Sequence, residues 1–260
     1  MHCQVLASGS KGNVTLLRAG ELSILIDCGL PLRELRARLE TVGLPHRGID
    51  HVLVTHGHLD HARSAGVLAK RHGATVHCAE RNMQNRALSR APTFHALHIG
   101  CETRIEGPNG SSVTYTPALL PHDCDPTVAF RLEHDSRVLV ILTDLGHPER
   151  EVARTLRGAH VLILEFNYDQ RMLAEGPYPV PLKRRVSGNR GHLSNEQAAV
   201  MLMALAGPEL HTLVLAHLSS TNNTPELALE AAHGALQLAG LDHIEVLIAS
   251  QDEVGPNLEI

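Results

Sequence analysis

Between Thr55 and His61 the chain reads Thr-His-Gly-His-Leu-Asp-His, which places four potential metal ligands, His56, His58, Asp60 and His61, on one short stretch. In an extended turn His56 and His58 can present two imidazoles to one divalent ion, while Asp60 and His61, turning into a helix, face a neighbouring position. Mixed nitrogen and oxygen donors suit first-row divalent ions, and a bridging carboxylate lets two such ions sit ~3.5–4 Å apart and activate one water between them. Closely spaced His and Asp can also simply cap a helix at the surface. A lone His-x-His would favour that plainer reading; the whole H-x-H-x-D-H pattern directly after a β-rich run favours the metal.

Such a turn needs a strand that stops and a helix that starts. The run HVLVT (51–55) supplies the strand, followed by a helix through about Arg71 that closes at His72-Gly73, and then by the strand ATVHC. This is a strand–helix–strand unit, and α/β proteins place their sites where strand hands over to helix. Upstream, VTLLR and LSILID flank Arg18-Ala19-Gly20-Glu21, a hairpin signal, and Pro31 starts a helix ending at Gly43. Downstream, SSVTYTPALL, PTVAFRLEH and SRVLVILTD read as consecutive strands, and helix and strand alternate from residue 148, with HTLVLAH and HIEVLIA as the last strands. Ser194-Asn195-Glu196-Gln197 is a capping box opening a helix, and Thr224-Pro225 starts another through about Ala239. The stretch 171–193, rich in Pro, Gly and basic residues, reads as an ordered functional loop. No repeat or boundary is evident, so the 260 residues are taken as one domain.

Composition narrows the options. The chain is 43% hydrophobic but only 2% aromatic, so its core must be built from Leu, Val, Ile and Ala, as in an α/β protein with buried sheets. A net charge of −5 argues against coating nucleic acid or an anionic membrane by bulk charge, while leaving room for a local basic groove. No apolar run approaches the ~20 residues of a membrane span and the start lacks signal-peptide features, so a cytoplasmic location without membrane contact is expected. Cys3, Cys28, Cys78, Cys101 and Cys124 form no C-x-x-C pair and are expected as small buried hydrophobes.

The H-x-H-x-D-H motif resembles that of the metallo-β-lactamase superfamily, which implies an α/β four-layer αβ/βα sandwich and names the remaining ligands. His122 in Pro121-His122-Asp123 is similar to the family's third imidazole for the first metal, Asp144 in ILTDLG to its bridging carboxylate, and His217 in VLAHLS to the last imidazole of the second metal. All three fall at C-terminal ends of expected strands, a check independent of the family. Asp27 in LIDCG matches the Asp that steadies the metal loop. SGSKGN (8–13), LIDCG, TDLG, LEFNYDQRML, LKRR, GHLSNEQAA and LAHLSSTNN together resemble the YycJ/WalJ-like branch, related to RNase Z phosphodiesterases and nucleases. Gly57 departs from the branch, where a charged or polar residue is frequent; the change should affect loop flexibility and leave ligation intact.

That resemblance implies a metal-dependent phosphodiester hydrolase acting on DNA or RNA from an end, an exonuclease, with 5′ to 3′ polarity. Two divalent ions, zinc or manganese with iron also compatible, would activate water; Asp60 would orient the nucleophile. His192, held by Glu165, would protonate the leaving oxygen, with the helix end at Ser194 favouring a phosphate oxygen. Lys183, Arg184, Arg185 and Arg190 form the densest basic stretch and could grip a phosphate backbone, although a solvated charge run explains them equally well. Ser8, Ser10 and Asn13 could line the same cleft, and Tyr178 is the aromatic in the 171–193 stretch. Two other readings stay open: a small-molecule phosphodiesterase or thioester/lactone hydrolase, and a non-catalytic metal-holding regulatory module. Oligomeric state is not legible.

Overall fold

The computed structural model describes residues 1–44 and 48–260. Short β-rich runs form β1 (His2–Ala7), β2 (Val14–Ala19), β3 (Leu22–Ile26), β4 (His51–Leu53), β5 (Thr75–Cys78) and β6 (Thr93–Ala96), then β7 (Thr103–Glu106), β8 (Ser112–Leu120), β9 (Thr127–His134), β10 (Arg137–Leu142), β11 (Val161–Glu165), β12 (Thr212–Ala216), β13 (Glu245–Ile248) and β14 (Asn257–Glu259). They make two seven-stranded sheets, ordered β14-β1-β2-β3-β4-β5-β6 and β13-β12-β11-β10-β9-β8-β7. Each sheet is antiparallel on one side and parallel on the other, the switch falling at β3 in the first and β10 in the second.

The helices are α1 (Leu32–Thr41), α2 (Leu59–Ala62), α3 (Ala65–His72), α4 (Arg150–Leu156), α5 (Gln170–Glu175), α6 (Val180–Val186), α7 (Asn195–Leu205) and α8 (Pro225–Leu238). Three apolar seams hold the layers together. Leu35, Leu39 and Leu68 pack on the outer face of the first sheet at Leu16, Leu25, Val52 and Val76. Ile24, Ile26 and Leu53 meet Phe130, Ile141, Ile163 and Val214 between the sheets. Leu156, Met201, Leu202, Leu205 and Ala232 cover the far face of the second sheet at Val140, Leu162, Leu164, Leu213 and Leu215. The result is the expected four-layer αβ/βα sandwich. β11 and β12 are buried at every position, as parallel strands covered on both faces must be.

Several elements differ from the sequence reading. β1, β6, β7 and β14 are too short and too mixed in pattern to announce themselves; β1 is held by partners from β2 and from β14 at the opposite end of the chain. The helix after the His-rich turn breaks into α2 and α3, because Ser64 turns aside to donate its N–H to the Cys28 carbonyl at 2.9 Å and its hydroxyl to Leu30 at 2.7 Å. Residues 171–193, expected as loop, carry most of α5 and all of α6. Cys3, Cys28 and Cys78 are buried as expected, whereas Cys101 is exposed and Cys124 half-buried. Among the described residues no helix is long and apolar enough to cross a membrane.

Candidate metal centre

The His-rich turn is fastened from below. Asp27, just past β3, accepts the Thr55 N–H at 2.8 Å and its hydroxyl at 2.9 Å, and its other oxygen sits 2.7 Å from His61 Nδ1. That interaction fixes Nδ1 as the protonated nitrogen of His61 and leaves Nε2 facing the centre. A Cβ at Gly29 would lie 1.6 Å from the Asp60 carbonyl, so only glycine lets the LIDCG turn pass beneath the motif. The demand is weaker at Gly57, where a Cβ would come within 2.8 Å only of the Asn85 side-chain amide, which donates to the Gly57 carbonyl at 2.7 Å.

His56 Nε2 and His58 Nδ1 converge to 3.0 Å, and the His122 ring stands 5.2 and 5.3 Å from theirs. One donor atom from each of His56, His58 and His122 lies within 4.8 Å of the others, and the same holds for Asp60, His61 and His217. Asp144 stands between the two sets, with Oδ2 3.2 Å from His61 Nε2 and Oδ1 3.8 Å from His122 Nε2. His122 Nδ1 is 2.9 Å from the Gly191 carbonyl and His217 Nδ1 is 3.1 Å from Glu165 Oε1, so both rings turn Nε2 inward. His122 Nε2, His217 Nε2 and Asp144 Oδ2 are buried without a hydrogen-bond partner, a costly state for polar atoms that a cation would relieve. The donors are imidazole nitrogens and carboxylate oxygens, with no thiolate among them. This set fits divalent first-row ions.

Electrostatics agree with that fit. Burial works against charge on Asp144, yet His217 and His61 hold its carboxyl well below the usual range. Burial likewise opposes a charged His217, but Asp144 and Asp60 carry it up to about 10. His61 is also raised, above all by Asp144 and Asp27 against its burial, whereas burial and then the charge on His61 push His56 well down. Asp27, Asp144 and His217 all have left-handed backbones, φ 59°, 63° and 55°. Strain of this kind, of order 1–3 kcal/mol per residue, persists only where the surroundings impose it; here Asp144 and His217 enter the donor groups while Asp27 braces Thr55 and His61 Nδ1 behind them.

Glu165 ends β11, fully buried, with Oε1 2.7 Å from His192 Nδ1 and Oε2 accepting the Leu145 N–H at 3.1 Å. Burial lowers and Glu165 raises the proton affinity of His192, and the rise prevails. His192, Asp60, Asp144 and His217 open onto a cleft of about 490 Å³, lined also by Ser10, Asp123, Tyr178 and Arg185. A larger surface cleft of about 580 Å³ around Arg104 and Glu133 holds none of these donors.

A family model described as the beta-lactamase superfamily domain matches residues 23–218. The chain belongs to the metallo-β-lactamase superfamily. Exodeoxyribonuclease YycJ of Bacillus anthracis is 30% identical over 243 residues, 92% of this chain and 90% of its own length. Exodeoxyribonuclease WalJ of Streptococcus pneumoniae serotype 2 is 29% identical over 265 residues, 98% and 97%. The crystal structure of the metallo-β-lactamase fold protein YhfI from Bacillus subtilis superposes with a TM-score of 0.75 at 19% identity, covering 100% of this chain and 99% of that one.

On this metallo-β-lactamase frame the expected ligands come together, but the expected substrate-binding residues divide. Consecutive residues of a helix point about 100° apart, so α6 cannot aim Lys183, Arg184 and Arg185 into one cleft. Arg185 reaches it, ion-paired to Asp123; Lys183 instead donates to the Ala174 carbonyl at 2.6 Å, and Arg184 faces solvent. Arg190 is spent on the His122 carbonyl. Ser10 and Tyr178 line the cleft, whereas Asn13 is buried beneath the motif, its amide 3.0 Å from His61 Nε2, and Ser8 accepts the His217 N–H at 2.8 Å. Ser194 is buried and accepts the Gln197 N–H with its hydroxyl in the capping box that opens α7.

Three residues escaped the sequence reading. Asp123 Oδ1 lies 3.3 Å from His58 Nε2 and from His122 Nε2. Thr55 bridges Asp27 and His56, and Asn167 donates to the His217 carbonyl at 2.8 Å. Their signal was adjacency: each lies one or two residues from a residue already singled out.

Proposed function

We propose that this chain is a metal-dependent exodeoxyribonuclease, and that His56, His58 and His122 hold one ion, Asp60, His61 and His217 a second, with Asp144 shared between them. The reading rests on one observation above all: two donor sets, each combining ligands from both sheets, converge on Asp144 in the cleft that His192 also lines. The relatives named as exodeoxyribonucleases, matched over nearly their whole length, support DNA as the substrate. Zinc suits the imidazole-rich set, and the carboxylates accommodate manganese or iron. Divalent ions bound there would lower the pKa of a water and offset charge on phosphoryl oxygens.

The chain's own residues supply the rest. Asp60, kept ionised because the neighbouring His217 and His61 outweigh its burial, can accept a proton from the attacking water and orient it. His192 carries the proton that the leaving oxygen requires: Glu165 accepts its Nδ1–H, which fixes the ring and leaves Nε2–H for the substrate. Arg185 offers a guanidinium at the cleft wall. Attack from a strand end, 5′ to 3′, follows the branch resemblance.

The test compares labelled DNA oligonucleotides, bis-p-nitrophenyl phosphate and a thioester after elemental analysis of protein prepared without chelator. Two ions per chain and processive shortening of DNA from one end are expected; thioester turnover faster than any phosphodiester would overturn the proposal. That only Arg185 of the basic stretch lines the cleft favours a second reading, a small-molecule phosphodiesterase, which would hydrolyse bis-p-nitrophenyl phosphate and leave oligonucleotides intact.

A further inference from the structure

Leu59 opens α2 directly after His58 and is 62% exposed, an unusual place for a large apolar side chain. It lines the catalytic cleft on one side and a second groove of about 250 Å³ on the other. Arg63, Arg86 and Arg90 line that groove together with Val67 and Ala87. All three arginines are exposed, and among the described residues none of their guanidiniums has an ion-pair or hydrogen-bond partner. Unpaired arginines occur elsewhere on the surface of the described residues, Arg33, Arg150 and Arg184 among them, but Arg63, Arg86 and Arg90 share one groove. Three unpaired cations around one groove, in a chain of net charge −5, call for an anionic ligand.

The groove is also tied mechanically to the metal motif. Asn85 donates its amide to the Gly57 carbonyl at 2.7 Å and accepts the Ala87 N–H at 2.8 Å, while Gly66 donates its N–H to the Ala87 carbonyl at 3.1 Å. Leu88 is fully buried behind this turn. Arg86 and Arg90 therefore project from a segment pinned at one end to the carbonyl between His56 and His58, and Arg63 projects from the adjoining helical break.

We propose that this groove is a second nucleic-acid subsite, holding the phosphodiester backbone of the substrate strand on the far side of Leu59 from the scissile phosphate. The proposal rests on the nuclease reading above. Arginine forks match phosphate oxygens, often with two parallel hydrogen bonds, and Leu59, Val67 and Ala87 offer an apolar surface for sugar and base faces. The subsite lacks an aromatic platform and engages the backbone, so it grips any sequence alike. With Arg185 on the opposite wall, the strand would be held on both sides of the metals.

The test uses the metal-loaded enzyme and the variant Arg63→Ala/Arg86→Ala/Arg90→Ala. For single-stranded oligonucleotides, KM should rise on the order of tenfold, and the ratio of kcat/KM for oligonucleotide over bis-p-nitrophenyl phosphate should fall by the same factor. Anisotropy of a labelled phosphorothioate oligonucleotide should show a salt slope shallower by roughly 2, at ~0.7 for each phosphate that an arginine no longer neutralises. The Arg→Lys triple variant should restore most of that slope. An unchanged ratio and slope, with the parent enzyme still shortening DNA, would overturn the subsite and leave the nuclease reading standing. An equal effect on a dinucleotide would also overturn it, by placing the arginines at the scissile phosphate. If the parent hydrolyses bis-p-nitrophenyl phosphate but neither binds nor cleaves oligonucleotides, subsite and nuclease reading fall together.

Discussion

The two sheets contribute to the centre in opposite ways. The first supplies His56, His58, Asp60 and His61 from one turn after β4, where neighbours in sequence lie together and Asp27 braces them from below. The second supplies His122, Asp144, Glu165, His192 and His217 from five separate positions, four of them at strand ends and the fifth just before α7. Their meeting depends on strand register: Leu142 opposite Leu164, and Glu165 opposite Ala216, put Asp144, Glu165 and His217 side by side. A slip of one residue would turn every one of them to the other face. A motif can thus be local on one wall and wholly tertiary on the other, and the two walls should respond differently to change.

The largest expected effect is at Asp144, the group both sets share. Asp144→Ala should reduce phosphodiesterase activity to background and lower the bound metal below two ions per chain by elemental analysis; full activity would mean that each wall works alone. His192→Ala comes next, costing roughly 10²–10⁴-fold on oligonucleotides but far less on bis-p-nitrophenyl phosphate, whose leaving group needs no acid. The carboxylates behind each wall allow a direct comparison. Asp27→Asn and Glu165→Gln should each weaken metal binding or activity on the order of 10–100-fold. A silent Asp27→Asn would show that the local turn needs no support.

Proton balance sharpens the contrast further. His217 is raised to about 10, which favours its protonated form at neutral pH without metal, and His61 is raised in the same direction. Metal binding must displace those protons, and affinity should climb with pH toward that range. Calorimetry in buffers of different ionisation heat measures the release, and no release would contradict the assigned ligands. The smallest effect lies away from the centre. His77 is buried beside His51 and Tyr115, and burial pushes it down to about 3. The unfolded chain takes up a proton below pH 6.5 that the folded chain refuses, so stability is complete above that pH and lost below it. The loss should be about 2 kcal/mol at pH 5. Urea unfolding of His77→Gln should show a flatter acid limb, separating pH effects on folding from those on metal binding.

Much of the centre was legible through the family resemblance of LIDCG, PHD, ILTDLG, VLAHLS, GHL and LEF, which pointed to Asp27, His122, Asp144, His217, His192 and Glu165; that His122, Asp144 and His217 end expected strands agreed with it. The residues proposed to meet substrate were far less legible. Lys183, Arg184 and Arg185 look equivalent in a string of letters, and only the helix of α6 turns one of them inward. Arg63, Arg86 and Arg90 are scattered among neutral residues, and become a group only when α3 packs against the turn that follows Gln84.

What the amino-acid order determined by itself was the chemistry available: hydrophobic period gave sheets and helices, and residue types at strand ends gave imidazoles and carboxylates able to hold divalent ions. Tertiary structure decided which donors lie close enough to share an ion, which nitrogen of each ring faces inward, and which cations see the cleft. The reason is physical: ligand type is a property of one residue, whereas coordination and charge complementarity are properties of distances between residues remote in sequence, fixed only by register and packing.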